Sequence, residues 1–291
     1  MDEVTALDGV PLQHRRVKLS EVELHVVEAG AGDKLVVLLH GFPEFWYSWR
    51  AQIPALARAG YRVVAPDMRG YNTSDKPKGV AAYNVVKLAR DVAELIQAMG
   101  VERADVVGHD WGGAAAWAFA TLHGERLRRL AIMNSPHPVQ FRQAIRRDLG
   151  QLRRSWYMFF FQVPGVPEWL IGAGNFAPIR NMYRGLLERK RLSEEDLERY
   201  QEALRQPGAL TAMVNYYRAA LRNLPAFQPI TAPVQIIWGQ RDHFIKAELA
   251  DPESKWCPDF RVHRVEGANH FVQMDAPDEV NAKLLEFLSA A

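Results

Sequence analysis

The 291-residue sequence contains a single cysteine, Cys257, so the chain cannot form an intramolecular disulfide. Such sparse cysteine is typical of a reducing compartment. No apolar run reaches the ~20 residues that a membrane-spanning helix needs. The first residues, MDEVTALDGV, are acidic and lack the apolar core of a signal peptide. We therefore expect a cytoplasmic protein that does not bind membranes.

The sequence also lacks a strong excess of either charge, because its formal net charge is only +2. Such a small charge does not favour binding to nucleic acid or to an anionic membrane. Four basic residues do cluster, at Arg146, Arg147, Arg153 and Arg154, and we assign them to a solvated helix face. With 48% hydrophobic and 24% charged residues, the chain has ordinary globular composition. Its length predicts one large domain with an insertion.

Strand-like and helix-like segments alternate through the first part of the chain. Apolar runs such as KLVVLLHG and YRVVAPD are typical of strands covered on both faces. Segments such as YNVVKLARDVAELIQAMG have the spacing of amphipathic helices. Short links between alternating strands and helices predict an α/β fold, with a mostly parallel central sheet and helices on both faces.

This alternation stops between about Pro136 and Pro229, where helical stretches rich in aromatic residues and arginine occur without a strand pattern. It resumes with VQIIWG, FRVHRVEG and a last helix, DEVNAKLLEFLSA. A helical insertion between two strands of one sheet predicts a cap. We therefore expect a core domain of residues 1–135 and 230–291, and a helical cap domain of residues 136–229.

The segment VVGHDWGG, residues 106–113, is a predicted strand that leads through a glycine-flanked turn into a helix. Such a turn presents its central side chain, Asp110, at the carboxyl end of the strand, where open α/β sheets bind ligands. The glycines at 108, 112 and 113 leave space for the tight turn. The simplest alternative is that Asp110 is a helix N-cap, which is a common position for aspartate.

A carboxylate at this position differs chemically from the serine of many hydrolases. It is a nucleophile at neutral pH without a base, and its attack on carbon gives an ester on the enzyme. That attack suits saturated carbon with a leaving oxygen or halogen. It does not suit peptide or ester hydrolysis, because the product would be an anhydride. Water must then hydrolyse the ester, and water does need a base.

The base and its partner are predicted downstream. The segment EGANHFVQMD places His270 in a loop after one predicted strand, and IIWGQRDHF places Asp242 just beyond another. We predict that His270 is the base and that Asp242 orients it and stabilises its charged form. A surface position is the ordinary alternative for a loop histidine. Asp275 is a weaker rival for the orienting acid, because we assign it to the next helix, and His109 is expected to pack under the nucleophile turn.

The segment HGFPEFWYSW, residues 40–49, follows another predicted strand. Its His-Gly turn leaves the N–H of Phe42 pointing across the site. The N–H of Trp111, at the start of a helix, is also free. These two donors predict an oxyanion hole for the tetrahedral intermediate of ester hydrolysis. The alternative is that the Phe-Pro-Glu turn has only a structural role, as a loop made rigid by proline.

Together these segments resemble the α/β-hydrolase fold family, and within it the epoxide hydrolases, over about residues 10–290. HGFPE, GHDWGG, the turn at Asp242 and NHFVQMD are similar to that family's oxyanion, nucleophile, acid and base motifs. The resemblance implies an enzyme that converts epoxides and water into vicinal diols through an ester on Asp110. The chain starts directly at the hydrolase domain, so we expect no phosphatase-like N-terminal domain of the mammalian soluble type.

The resemblance also implies two cap tyrosines that protonate or hydrogen-bond the ring oxygen. The matching positions are Tyr157 in SWYMFFFQVPG and Tyr217 in MVNYYRAALRN. One apolar stripe of the predicted helix around 209–224 contains Leu210, Met213, Val214, Tyr217, Leu221 and Leu224. This spacing independently directs Tyr217 inward, whereas Tyr216 points elsewhere. Core packing is the ordinary alternative for a tyrosine on such a stripe.

Aromatic residues in the cap and in the turn after the first buried strand favour an apolar substrate. We predict that Trp46, Trp156 and Phe160 bind it. The expected reactants are a small apolar epoxide and water, and we expect neither a cofactor nor a metal ion in the reaction. The sequence does not set the oligomeric state, and a homodimer stays open.

Two alternative functions remain. A haloalkane or haloacetate dehalogenase would use the same aspartate, but a haloalkane enzyme needs a pair of halide donors. Trp111 could be one donor, whereas Phe42 stands where many haloalkane dehalogenases carry asparagine. The haloacetate branch commonly has arginine at the position of Trp111. The other alternative is a binding module without turnover, against which the complete set of Asp110, Asp242 and His270 argues.

Overall fold

The computed structural model describes residues 3–220, 222 and 225–290. A short antiparallel hairpin, β1 (Ala6–Leu7) and β2 (Val10–Pro11), precedes the main sheet. The strands of the main sheet are β3 (Gln13–Lys18), β4 (Glu23–Ala29), β5 (Leu35–Leu39), β6 (Arg62–Pro66), β7 (Ala104–His109), β8 (Leu127–Met133), β9 (Val234–Gly239) and β10 (Phe260–Val265). Their order across the sheet is β10-β9-β8-β7-β5-β6-β4-β3.

The sheet is parallel except at one edge, where β4 pairs antiparallel with both β3 and β6. Every residue of β5, β7 and β9 is buried, as expected for strands covered on both faces by helices. The α/β fold with a mostly parallel sheet is therefore confirmed. The hairpin and β3 did not enter the sequence prediction, because strands of two residues and an exposed edge strand carry little apolar pattern.

The helices follow the strands in the order that the sequence predicts. They are α1 (Gln52–Arg58), α2 (Val85–Ala98), α3 (Trp111–Leu122), α4 (Pro138–Arg147), α5 (Leu149–Arg154), α6 (Trp156–Phe160), α7 (Val166–Met182), α8 (Arg184–Glu188), α9 (Glu194–Arg205), α10 (Ala209–Ala220), α11 (Val272–Asp275) and α12 (Pro277–Ser289). Within the described part of the chain, no helix is both long and apolar enough to cross a membrane.

The residues that the structure describes between β8 and β9 form helices α4 to α10 and no strand. Helix α7 is interrupted, since residues 173–176 leave the helical backbone and Gly174, Asn175 and Phe176 have positive φ angles. Helix α10 contains four members of the predicted apolar stripe, whereas Leu221 and Leu224 lie outside the described residues.

Several buried or partly buried hydrogen bonds fasten this helical insertion to the rest of the chain. The Gln151 amide donates to the Phe244 carbonyl at 2.9 Å, and the Tyr216 hydroxyl donates to the Arg69 carbonyl at 2.7 Å. The Tyr47 hydroxyl donates to a carboxylate of α9 at 2.8 Å. Because these bonds join α5, α9 and α10 to loops at the carboxyl edge of the sheet, they fix the insertion above that edge.

Candidate active site

Asp110 occupies a strained turn between β7 and α3. Its φ of 49° and ψ of −116° lie in a region that non-glycine residues rarely adopt. The turn is tight, since a Cβ on Gly112 would lie 2.1 Å from the Leu39 carbonyl oxygen. The Asp110 side chain makes no capping hydrogen bond to its helix. It accepts instead from the Phe42 backbone N–H, at 2.8 Å from Oδ1, which argues against a simple N-cap.

His270 lies between two carboxylates that come from different strand ends. Its Nδ1 is 2.7 Å from Asp242 Oδ2, and its Nε2 is 3.6 Å from Asp110 Oδ2. The two acids follow β7 and β9, and the histidine follows β10. Parallel strands end at one edge of the sheet, so residues distant in sequence meet there. The Asp110 side chain stays 17% exposed, which leaves it open to a ligand.

The charges of this group stabilise one another. Burial would lower the pKa of His270, but the carboxylates of Asp242 and Asp110 reverse the effect and raise the pKa to about 10. Burial would raise the pKa of Asp110, yet the hydrogen bond and charge of His270 give a net lowering, with help from the Phe42 N–H. At neutral pH the resting site therefore contains an imidazolium between two carboxylates.

Asn134, which follows β8, was missed by the sequence reasoning. Its Nδ2 donates to Asp242 Oδ2 at 2.8 Å, and its Oδ1 accepts from the Gly239 N–H at 2.8 Å. The other Asp242 oxygen accepts from the backbone N–H groups of Phe244 and Ile245. The signal was available, because Asn134 is a polar residue directly after a buried strand that ends at the same edge.

A buried hydrogen-bond network contacts the backbone of His270. His109 is fully buried under the turn, as expected, with Nδ1 2.8 Å from Glu44 and Nε2 2.9 Å from the His270 carbonyl. Gln273 donates to the same glutamate at 2.8 Å. Glu44 also accepts from the Gly41 N–H. This network links the loop of Phe42 to the loop of His270, and no pattern in the sequence identifies it.

Asp275, the alternative candidate for the orienting acid, interacts with other groups than the His270 imidazole. It ends the short helix α11, and its carboxylate pairs with Arg189 at 2.6 Å. It also accepts from the Asn269 N–H at 2.8 Å. These bonds anchor the loop just before His270, whereas Asp242 is the carboxylate bonded to the imidazole.

Tyr157 and Tyr217 face Asp110 from the helical insertion. Their rings lie 5.7 Å apart, and the Tyr217 ring also packs edge-on against Phe42 and Trp111. Burial raises the pKa of both phenols above the ordinary value, and the nearby Asp110 carboxylate raises it further. Both hydroxyls therefore keep their protons at neutral pH and can donate them.

Tyr216 points elsewhere than Tyr217, as the helix register predicts, and it is completely buried. Its ring packs against Tyr71 and Tyr83, and its hydroxyl bonds to the Arg69 carbonyl. The reason is that α10 is covered on two sides, by the aromatic residues of the insertion and by the loops of the core.

Two cavities, of about 350 and 420 Å³, meet at Asp110, Tyr157 and Tyr217. Phe160 lines the smaller cavity, and Trp156 lies at its mouth with 62% of its surface exposed. These are two of the three predicted substrate-binding residues. The third prediction was wrong, because neither cavity contains Trp46.

Trp46 is buried on the other side of the loop that contains Phe42. Its backbone N–H donates to Asp67 at 3.0 Å, and its ring packs edge-on against His14. It begins a 3₁₀ turn, Trp46–Trp49, that packs into the core rather than toward Asp110. Although Trp46 is close in sequence to Phe42, its side chain does not face the cavities at Asp110.

The four basic residues expected on a solvated helix face are all exposed. Two of them also reach the site, since Arg153 and Arg154 line the smaller cavity. Arg154 Nη1 donates to the Asp242 carbonyl at 2.7 Å. Arg146 lines the larger cavity. Arginine side chains thus contribute to the walls of two cavities that are lined mainly by apolar and aromatic residues.

Comparisons with known proteins agree with this geometry. The family model described as alpha/beta hydrolase fold matches residues 34–277. The chain is 42% identical to a Bacillus subtilis AB hydrolase superfamily protein, YfhM, over 97% of this chain and 99% of that protein. It is 36% identical to epoxide hydrolase 2 of Caenorhabditis elegans, over 95% of this chain and 80% of the relative.

A solved structure is also similar. The crystal structure of a Bacillus megaterium epoxide hydrolase in complex with an inhibitor superposes with a TM-score of 0.89 and 32% identity, covering 95% of this chain and 100% of that one. The arrangement of residues at the carboxyl edge of the sheet and these similarities point to the same family. The chain belongs to the α/β-hydrolase fold family and, within it, to the group that contains the epoxide hydrolases.

Proposed function

We propose that the protein hydrolyses epoxides to vicinal diols through a covalent ester on Asp110. One observation carries the proposal: a carboxylate held by a backbone N–H stands 3.6 Å from a histidine and faces the buried Tyr217 and the partly buried Tyr157. The carboxylate, the base and the two proton donors are the groups that ring opening followed by ester hydrolysis requires.

In the first step, an Asp110 oxygen attacks an epoxide carbon and a new C–O bond forms. The ring C–O bond breaks, and the ring oxygen receives a hydrogen bond or a proton from Tyr157 or Tyr217. An alkoxide is more basic than a phenolate, so even a phenol of raised pKa can donate to it. The two tyrosines sit at the meeting point of both cavities with Asp110, where a bound epoxide would lie.

In the second step, His270 Nε2 takes a proton from water, whose oxygen attacks the ester carbonyl. The N–H groups of Phe42 and Trp111 stabilise the resulting oxyanion. The intermediate collapses to the diol and regenerates the Asp110 carboxylate. The proton that the resting imidazolium loses after ester formation returns through solvent to the tyrosine, and the proton that His270 takes from water restores the imidazolium, so one epoxide and one water give one diol.

Ester formation also prepares the base. The resting imidazole is too basic to stay neutral at pH 7, because both carboxylates raise its pKa to about 10. An ester at Asp110 carries no charge, so one of these two carboxylates disappears once the substrate has reacted. The pKa of His270 then falls, and the histidine can accept a proton from water. Asp242 and Asn134 keep the ring oriented throughout.

We extend the proposal to the substrate and the cap. Residues 136–229 act as a cap domain over a core of residues 1–135 and 230–291. The two cavities, of about 350 and 420 Å³, are lined mainly by apolar and aromatic side chains. They suit an apolar epoxide with a substituent on each side of the ring. The cytoplasmic location stays a prediction, supported by the single, buried Cys257, and so does a homodimer.

Dehalogenation with the same aspartate is the second candidate. The observation in its favour is the Trp111 indole N–H, which is buried beside Tyr217 and makes no strong hydrogen bond to a described residue. A halide ion could accept from it, but Phe42 offers no second side-chain donor. The two tyrosines have no task in that reaction, because a halide leaves without a proton. Epoxide opening therefore uses more of the site.

The test is a substrate panel of styrene oxide, a bromoalkane and fluoroacetate, assayed for diol and for free halide. We expect diol from styrene oxide at a rate far above that of the Asp110→Ala variant, and no halide. Circular dichroism of the variant controls for folding. Halide release without diol formation would favour the dehalogenase, and no turnover of any substrate would favour the binding module.

A further inference from the structure

Glu3, His14 and His25 form a cluster on the opposite side of the Phe42 loop from the candidate active site. One potential ligand atom from each residue lies within 4.8 Å of the other two. The histidines come from the neighbouring strands β3 and β4, and Glu3 precedes the first hairpin. The cluster borders a surface cavity of about 550 Å³. Neither cavity at Asp110 includes any of the three residues.

The hydrogen bonds of the two imidazoles fix where their protons are. His25 Nδ1 lies 2.7 Å from Asp67 Oδ2, and this buried carboxylate only accepts. His14 Nε2 lies 2.8 Å from the Val4 carbonyl oxygen, which also only accepts. Each neutral ring has one N–H. His25 must therefore carry its proton on Nδ1, and His14 must carry its proton on Nε2.

The remaining nitrogens, His14 Nδ1 and His25 Nε2, then face each other with lone pairs at 2.9 Å. A carboxylate oxygen of Glu3 adds negative charge, at 3.3 Å from His14 Nδ1. Two lone pairs at this separation repel unless a cation lies with them. The cation is either an extra proton shared by the rings or a metal ion.

We propose that Glu3, His14 and His25 bind a divalent transition-metal ion of the zinc class. Two imidazole nitrogens and one carboxylate oxygen are a common protein ligand set for Zn²⁺. In such sites a ligating histidine usually donates the N–H of its other ring nitrogen to a carboxylate or a backbone carbonyl. Both histidines of the cluster make a hydrogen bond of this kind. Asp67 and Val4 supply these acceptors.

The ring centroids lie 5.1 Å apart, so the two lone pairs point almost straight at each other, and binding one ion requires each ring to turn as well as to move. Two nitrogens at about 2.0–2.1 Å from one tetrahedral ion are about 3.3 Å apart, so the rings would separate by a few tenths of an ångström. The ion would lie beside the line between the nitrogens, on the side of Glu3, and water from the cavity would complete its coordination. Such an ion would tie the segment before the first hairpin to the edge of the main sheet.

The test uses untagged protein that has been treated with EDTA and dialysed, then titrated with ZnCl₂ by calorimetry at pH 7.5. We expect one tightly bound Zn²⁺ per chain, confirmed by metal analysis after desalting. Glu3→Gln should weaken binding at least tenfold while leaving epoxide hydrolysis unchanged. The double variant His14→Gln, His25→Gln should lose the site, although glutamine can still donate to Val4 and Asp67.

His263→Gln is the matched control. His263 also contacts a glutamate, Glu279 at 2.6 Å, but on an exposed surface away from the cluster. Its loss should leave Zn²⁺ binding unchanged. The proposal is overturned if the unchanged protein binds no Zn²⁺. That result is expected if the two rings share a proton instead of binding a metal ion. The proposal is also overturned if the double variant binds Zn²⁺ as tightly as the unchanged protein.

Discussion

Replacing Asp110 by asparagine should lower the pKa of His270, because it removes a negative charge 3.6 Å from Nε2. Coulomb's law gives this pair about 1.2 kcal/mol at the dielectric constant of water and about 4.6 kcal/mol at an effective value of 20. At about 1.4 kcal/mol for each pKa unit, the expected decrease is about 1 to 3 units. The unchanged protein has a His270 pKa of about 10.

The assay is a long-range ¹H–¹⁵N NMR titration of protein labelled at histidine, with His270 assigned from a His270→Gln sample. Asp242→Asn should also lower the pKa, since the Asp242 carboxylate raises it more than Asp110 does. Asp275→Asn is the control, because that carboxylate pairs with Arg189 rather than with the imidazole. An unchanged His270 pKa in the Asp110→Asn variant would refute the idea that ester formation releases the base.

Three further outcomes are expected. Tyr157→Phe or Tyr217→Phe should each slow diol formation, by up to about 100- to 10,000-fold for a lost general acid, and the double variant should be slower still. The control Tyr216→Phe should cost about 1 kcal/mol of unfolding free energy and have little effect on kcat. A large decrease in kcat for Tyr216→Phe would contradict the assignment of the two proton donors. Asn134→Ala should lower kcat about 10- to 100-fold by freeing the orienting acid, whereas a change in KM alone would deny that role. His270→Gln should accumulate the ester, seen by intact-protein mass spectrometry as one added substrate mass, and its absence would place the histidine in the first step.

The sheet and most helices could be predicted because their apolar patterns are continuous. Strands such as β5 and β7 are buried on both faces, so nearly every residue carries the signal. The positions of Asp110, Asp242 and His270 follow from the same logic, since each lies just beyond a predicted strand. Asn134 could have been found in this way, and it was overlooked.

What the sequence could not predict depends on packing between segments distant in the chain. The burial of Tyr216 results from core loops around Tyr71 and Tyr83 closing over α10. Trp46 faces His14 rather than the cavities at Asp110 because of the turn that follows Phe42. Periodicity within one helix or one turn reports which side is apolar, but not which neighbour covers that side.

A single turnover in oxygen-18 water tests the covalent mechanism most directly. With enzyme in excess over an epoxide, water should attack the ester carbonyl of Asp110, so the new oxygen of the diol should come from that carboxylate. The diol from the first turnover should therefore be unlabelled, and peptide mapping should find the label on Asp110. Label appearing in the diol during that turnover, with none on Asp110, would mean that water attacks the epoxide ring itself.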